Sequence, residues 1–277
     1  MKRLLVLALV LSACAVTIDT SSIEVSPPII PSEIALDKPV NAGLEIAGDS
    51  TNTEIVFVAL QYKDGSRWIN LEEPSEILLN STEQIPLELE PGNYTLRTAL
   101  WGLQPELGSE AEKVSSEVNI QVIDNSTQLE QIATAFNQRL IADVNASKAL
   151  QRCQTSTDIP ECMIQFSTLF QDFIWAANDV KDIGAITRLT SNLQPQLSSV
   201  MYFHNIVLTK LETAYTNHCL DGINSSSAVA TCLRKLQSND ISTTRKSLKQ
   251  SLKVFNRLLE TASYETFAYS STKGLFG

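Results

Sequence analysis

Near Asp124 the apolar residues of this 277-residue chain change their spacing, from every second position to every third or fourth. No single layer of secondary structure obeys both periods, so the change divides the chain into a β part and a helical part. Between about Ser32 and Asp124, Val40, Ala42, Leu44 and Ile46 alternate with smaller or polar residues. Glu54–Tyr62 is β-branched and aromatic, Lys63-Asp64-Gly65-Ser66 signals a hairpin turn, and Arg67–Leu71 returns with Trp68 available for a core. Ile85, Leu87 and Leu89 alternate, Pro91-Gly92-Asn93 turns, Tyr94–Trp101 comes back, and Val118, Ile120 and Val122 finish the set. About seven short strands with turns between them predict an antiparallel β-sandwich over 32–124.

The segment Leu89-Glu90-Pro91-Gly92-Asn93-Tyr94-Thr95-Leu96 resembles the corner before a late strand in immunoglobulin-like and fibronectin-III-like modules. That resemblance implies a Tyr near the strand start whose hydroxyl bonds back across the corner, a place Tyr94 holds. After Asn125 the helical period takes over. Thr127 with Glu130 reads as a capping box, and Leu129, Ile132, Phe136, Leu140 and Val144 mark one face of a helix reaching toward Arg152. Met163, Phe166, Leu169, Phe170, Phe173, Ala177 and Val180 line a second helix. A third set runs from Ile186 through Leu197, His204 and Leu211 to Tyr215, with Pro195 expected to kink or split it. Another helix starts before Cys232, and Ile241, Leu248, Leu252, Phe255 and Leu259 define a last one. The expectation is a multidomain, all-β plus all-α chain. Its second part, 125–263, is an antiparallel bundle of four or five helices, followed by an aromatic tail over 264–277 that packs back or offers a docking segment.

The first residues concern address. Lys2 and Arg3 precede the apolar run Leu4–Leu11, followed by Leu11-Ser12-Ala13-Cys14. A basic start, a run too short to span a bilayer and small residues at its end read as an export signal over 1–13. Residues 11–14 resemble the lipobox of bacterial lipoproteins, which implies cleavage before Cys14 and lipidation of its sulfur. Ala13-Cys14-Ala15 also fits the A-x-A rule of ordinary secretion. Ala15 is not Asp, and in enterobacteria-like lipoproteins that favours the outer membrane. Residues 14–31, rich in Ser and Thr and ending in Pro27-Pro28-Ile29-Ile30-Pro31, read as an extended tether.

Charge and cysteine content support the same division. From Cys14 to Asp124 there are 19 acidic and 5 basic residues, and from Asn125 to Gly277 there are 12 acidic and 14 basic. The acidic front half argues against nucleic-acid binding. Four cysteines follow Cys14, all in the second half, and an even number in an exported chain favours disulfides. Of three possible pairings the sequence-local Cys153–Cys162 and Cys219–Cys232 are expected, each closing one helix connection and stabilising by roughly 2–3 kcal/mol.

No motif announces a reaction, a metal or a cofactor: C-x-x-C-H, H-E-x-x-H, G-x-S-x-G and a phosphate-binding glycine loop are all missing from the sequence. His204 falls on an apolar helix face, which suits a packed histidine or, alternatively, a ligand in the bundle interior. His218 lies about four turns away, too far to share an ion on a continuous helix. Asp179 and Asp182 read as a solvated face, and Asp49–Glu54 is an oxygen-rich loop without the EF-hand pattern. Arg245, Lys249, Lys253 and Arg257 recur every four residues with Lys246 beside them. This basic stripe reads as a contact for an anionic partner, whether lipid headgroup, acidic glycan or acidic protein, or as a solvated face. The expected function is therefore a lipid-anchored envelope protein acting as a non-catalytic interaction or structural module. The alternatives are a small-ligand or metal-binding protein built around His204, and a hydrolase assembled from distant residues.

Overall fold

A computed structural model describes residues 20–36, 38–49, 54–106, 108–220 and 223–267. The chain divides into two compact units, one running to Val122 and the other from Ile123, with residues 35–37 grouped with the second. The change of unit thus falls where the apolar period changes.

The β region holds β1 (Glu24–Val25), β2 (Glu33–Ala35), β3 (Asn41–Ala47), β4 (Ile55–Asp64), β5 (Arg67–Asn70), β6 (Ser75–Leu78), β7 (Thr82–Pro86), β8 (Gly92–Trp101), β9 (Lys113–Val114) and β10 (Val118–Ile123). One sheet runs β1-β3-β7. The other runs β2-β10-β8-β4-β5, with β6 also on β4 and β9 on β8. Alternation decides which side chains enter the shared core: Leu44 and Ile46 of β3 meet Val56, Val58 and Leu60 of β4 and Leu96 and Leu100 of β8. The opposite face of the larger sheet carries Ala59, Ala99 and Trp101 in a second small cluster, and the Trp101 indole donates to the Glu110 carbonyl at 2.9 Å.

The β4–β5 hairpin closes through Gly65, whose φ of 58° is the left-handed conformation this tight turn requires. Its register pairs Lys63 with Trp68 and Asp64 with Arg67. Trp68 therefore shares the outer face with Gln61 and lies outside the core, contrary to the sequence expectation. There the Arg97 guanidinium stacks 4.0 Å from its ring centroid. The Arg97 Nε donates to Gln61 Oε1 at 2.9 Å, and Gln61 donates to Asn70 at 2.8 Å.

The expected tether is shorter than 14–31. Ile23 is buried, β1 pairs with β3, and Ile29 bridges Gly43, so residues from Thr20 onward belong to the folded β region. Residues 14–19 lie outside the described residues, as does Cys14. At the corner before β8, the Tyr94 hydroxyl donates to the Glu90 carbonyl at 2.8 Å, as the resemblance implied.

The helical unit contains α1 (Asn125–Cys153), α2 (Ile159–Ile186), α3 (Gln194–His218), α4 (Ser226–Leu236) and α5 (Asn239–Thr261). α1 packs on α2, α2 on α3, and α3 on both α4 and α5. The N-cap of α1 is Asp124, whose carboxylate accepts from the Thr127 N–H at 3.0 Å, so Thr127 is inside the first turn and forms no capping box. Pro195 neither kinks nor interrupts a helix. It occupies the first turn of α3, where its missing N–H costs nothing. Ile186 ends α2, and Leu189 and Leu193 are buried in the connection. Both disulfides form as expected, with S–S distances of 2.04 Å for Cys153–Cys162 and 2.10 Å for Cys219–Cys232. The described part of the tail packs back. The Asn256 side chain donates to the Phe267 carbonyl at 2.9 Å and accepts from its N–H at 3.0 Å, burying that ring against Phe136 and Phe255. Residues 268–277 lie outside the described residues.

Tyr94→Phe removes one hydroxyl and leaves the ring. It is expected to lower the unfolding free energy of the β unit by about 1 kcal/mol, the net worth of one such bond. Urea titration followed by tryptophan fluorescence checks this, and an unchanged midpoint would remove the corner from the account.

Candidate functional site

The inward positions of α1, α3 and α5 follow steps of three or four residues. On α1 this seam runs Leu129, Ile132, Phe136, Arg139, Asp143, Ser147 and Leu150; on α3 it includes Leu197, Val200, His204, Val207 and Leu211. On α5 the same steps lead from Ile241 through 245 to Leu248, Leu252, Phe255 and Leu259. Arg139, Asp143, His204 and Arg245 are thus polar residues on seams that are otherwise largely apolar. Ser199 meets Ser251 at 3.2 Å, and Lys210 meets Asp240 at 2.6 Å, so α3 and α5 run antiparallel with Arg245 near the level of His204.

Charge is unevenly shared in this layer. Asp143 is fully buried and accepts from Ser147 at 3.1 Å. Burial lowers the pKa of Arg139, and the Asp143 carboxylate partly restores it. Burial brings Arg245 down to about 10, with Asp143 opposing that shift and Arg139 adding to it. Arginine keeps its charge at neutral pH, so one carboxylate acts on two guanidinium groups. Arg139 also lies 5.6 Å from the Phe173 ring centroid, and Arg245 donates to the Leu236 carbonyl, at the end of α4, at 3.3 Å.

His204 is 1 % exposed, with its ring edge-on to Phe136 at 5.6 Å between centroids. Its Nδ1 is 3.4 Å from Asn205 Oδ1, and its Nε2 has no hydrogen-bond partner among the described residues. Burial, reinforced by the Arg139 charge, lowers its pKa to about 3, against a weaker upward pull from Asn205. The imidazole is neutral at pH 7, and a cation at Nε2 would meet the field of Arg139. Among the described residues no three His, Cys, Asp or Glu side chains are grouped so as to hold a metal ion. His218 is the last residue of α3 and is exposed, and residues 50–53 of the oxygen-rich loop lie outside the described residues.

The basic stripe is divided by the same geometry. Arg245 is half-buried and donates to the Leu236 carbonyl, which sets it apart from the exposed members of the stripe. Four-residue spacing drifts by about 40° per step, so the stripe begins on the seam and ends outside it. Lys246, Lys249, Lys253 and Arg257 are all exposed, within an arc of about 80°.

A second outward face was not read from the sequence. On α2, Ile164, Trp175 and Ile186 recur every eleven residues and are 62 %, 62 % and 75 % exposed. Eleven residues make about three turns, so the three form one line opposite the buried Phe166, Phe170 and Phe173. Asp179 and Asp182 lie on the same face and, with Glu130 of α1, line a groove of about 450 Å3. The eleven-residue recurrence was the available signal.

Because His204 stays neutral down to about pH 3 in the folded chain, the unfolded chain takes up a proton first as pH falls below 6.5. Stability present above pH 6.5 is lost through that window at about 1.4 kcal/mol per pH unit. His204→Leu is expected to remove this contribution, so that denaturant titrations favour the variant increasingly from about pH 6 to about pH 4. A difference independent of pH would show that His204 is not held neutral.

No protein-family model and no curated protein matches the chain. Among solved structures it is similar to a CARDB domain from Pyrococcus furiosus crystallised with di-metal ions, with 10 % identity and a TM-score of 0.24, covering 37 % of this chain and 90 % of that one. A β-glucosidase from Erythrobacter marinus aligns at 15 % identity and a TM-score of 0.25, covering 37 % of this chain and 15 % of its own. The E. coli α2-macroglobulin aligns at 10 % identity and a TM-score of 0.25, covering 84 % of this chain and 22 % of its own.

Proposed function

We propose that this chain is a lipid-anchored envelope protein whose helical unit is a non-catalytic interaction module, with the outward face of α5 as its contact for an acidic partner. The observation that carries the reading is the division of α5. Arg245 is half-buried on the seam, while Lys246, Lys249, Lys253 and Arg257 are exposed over about 16 Å of helix. Four cations on one face attract an acidic surface from a distance and speed its docking. The β unit in this reading is an immunoglobulin-like module. The order β1-β3-β7 opposite β10-β8-β4-β5 and the Tyr94 bond to Glu90 support it. The lipobox-like Leu11-Ser12-Ala13-Cys14 supports membrane attachment through acyl chains on Cys14, on the outer membrane. Among the described residues no helix is long and apolar enough to cross a membrane.

Crosslinking in intact cells, followed by affinity recovery and mass spectrometry, tests this reading. The wild type is expected to recover a specific acidic partner, and Cys14→Ser to lose it with loss of membrane attachment. Lys246→Glu/Lys249→Glu/Lys253→Glu is expected to lower recovery at least about tenfold with the thermal midpoint unchanged, since rim charges act on association more than on folding. Equal recovery by the triple variant would remove α5 as the contact.

A further inference from the structure

The α2 face has two properties that a solvated helix face lacks. Its Ile164, Trp175 and Ile186 are exposed in one line along a single helix. Isolated exposed apolar residues are ordinary, but an ordered line of them along one helix marks a contact surface. The same face is acidic. Asp172, Asp179 and Asp182 are exposed between and beside the apolar residues. Lys181 is also exposed but lies on another side of the helix. A partner for this face must therefore be long, helix-shaped and basic, with some apolar stem to lie against Trp175.

The outward face of α5 has that chemistry. Lys246 to Arg257 spans about 16 Å along its axis, and Asp172 to Asp182 spans about 15 Å along α2. Lysine stems are apolar and their ammonium groups favour the face of an indole, so Trp175 suits a lysine between the carboxylates. The two faces are on different helices and both are solvent-exposed, so neither covers the other within one chain. We propose that the acidic, Trp175-centred face of α2 receives the basic face of α5 from a second copy of this chain. This rests on the reading of α5 as a contact face and names its partner. The contact is heterologous, one surface against a different one, so each copy keeps a free face of each kind and the assembly grows beyond a dimer unless it closes as a ring. Chains held on one membrane surface would meet at high local concentration, which favours such a contact even when it is weak in solution.

Sedimentation of the full chain carrying Cys14→Ser, which removes the acyl attachment and none of the proposed contact, tests this. At about 50 mM salt the protein is expected to sediment as species larger than a monomer. Raising salt to about 500 mM is expected to weaken association at least tenfold, because screening then acts within a few ångströms. Asp172→Lys/Asp179→Lys/Asp182→Lys and Lys246→Glu/Lys249→Glu/Lys253→Glu/Arg257→Glu are each expected to be monomeric alone. Mixed in equal amounts they are expected to associate again, since each reversed face then meets an opposite one. Trp175→Ala is expected to weaken wild-type association about tenfold with unfolding unchanged. A wild type that stays monomeric, a reversed variant that associates like wild type, or a mixture that stays monomeric each overturns the proposal. If the α5 reversal abolishes recovery of another envelope protein in cells while the wild type is monomeric in solution, the α5 contact stands and the self-association fails.

Discussion

A carboxylate sealed inside a helical bundle has to be matched by charge, and Asp143 is where this bundle meets that requirement. It is fully buried on the seam of α1, one turn from Arg139, and it acts on Arg245 from α5 as well. Withdrawing these groups from water is costly, and an incomplete set would cost more than an apolar core. Leucines and phenylalanines above and below the layer pack in many registers with small losses. The charges are less tolerant of displacement, so the layer is expected to restrict the rotation and height of α5. His204 stays neutral because it is buried, and the Arg139 charge adds to that effect.

Rotation of α5 then determines what the helix presents to solvent. With Arg245 on the seam, where the Asp143 charge acts on it, the arc that holds Lys246, Lys249, Lys253 and Arg257 points outward. The interior layer thus sets which residues of α5 meet solvent. A comparable link operates on α2. Phe166, Phe170 and Phe173 are drawn into the core, with Phe170 stacked on Tyr215 at 4.1 Å, and Trp175 is consequently turned to the opposite side. Gly184, near the end of that face, lies against the Met201 side chain of α3, whose thioether would have to move to admit a methyl.

Much of this arrangement was legible in residue spacing. The unit boundary, both disulfides and the long helices followed from periodicity and from cysteine parity, because those signals extend over many residues. Short features were not legible in the same way. β1 is two residues long and carries no period, so Ser/Thr and Pro content made residues from Thr20 to Pro31 look like tether. Trp68 read as available for a core, although the two-residue turn and its register place it on the opposite face. Arg245 was grouped with the lysines because four-residue spacing was counted without its drift. Steps from Ile241 to Leu248 place it on the seam. Asp143 and Arg139 were hidden for a related reason: an apolar stripe was sought, and charged members of the stripe were passed over. The pairing of one outward face with another is not legible in spacing, because spacing reports which residues share a face and not which faces meet.

The central claim is that one buried carboxylate holds two guanidinium groups and thereby orients α5. Unfolding of Asp143→Asn, followed by far-ultraviolet circular dichroism to report on the helices, tests it most directly when compared with Arg139→Met/Asp143→Leu/Arg245→Met. The account predicts that the single substitution costs about 3–5 kcal/mol, because it leaves buried Arg139 and half-buried Arg245 without their anion, and that the triple substitution recovers most of that loss. A single variant within about 1 kcal/mol of wild type would contradict it, since exposed pairs are worth no more than that.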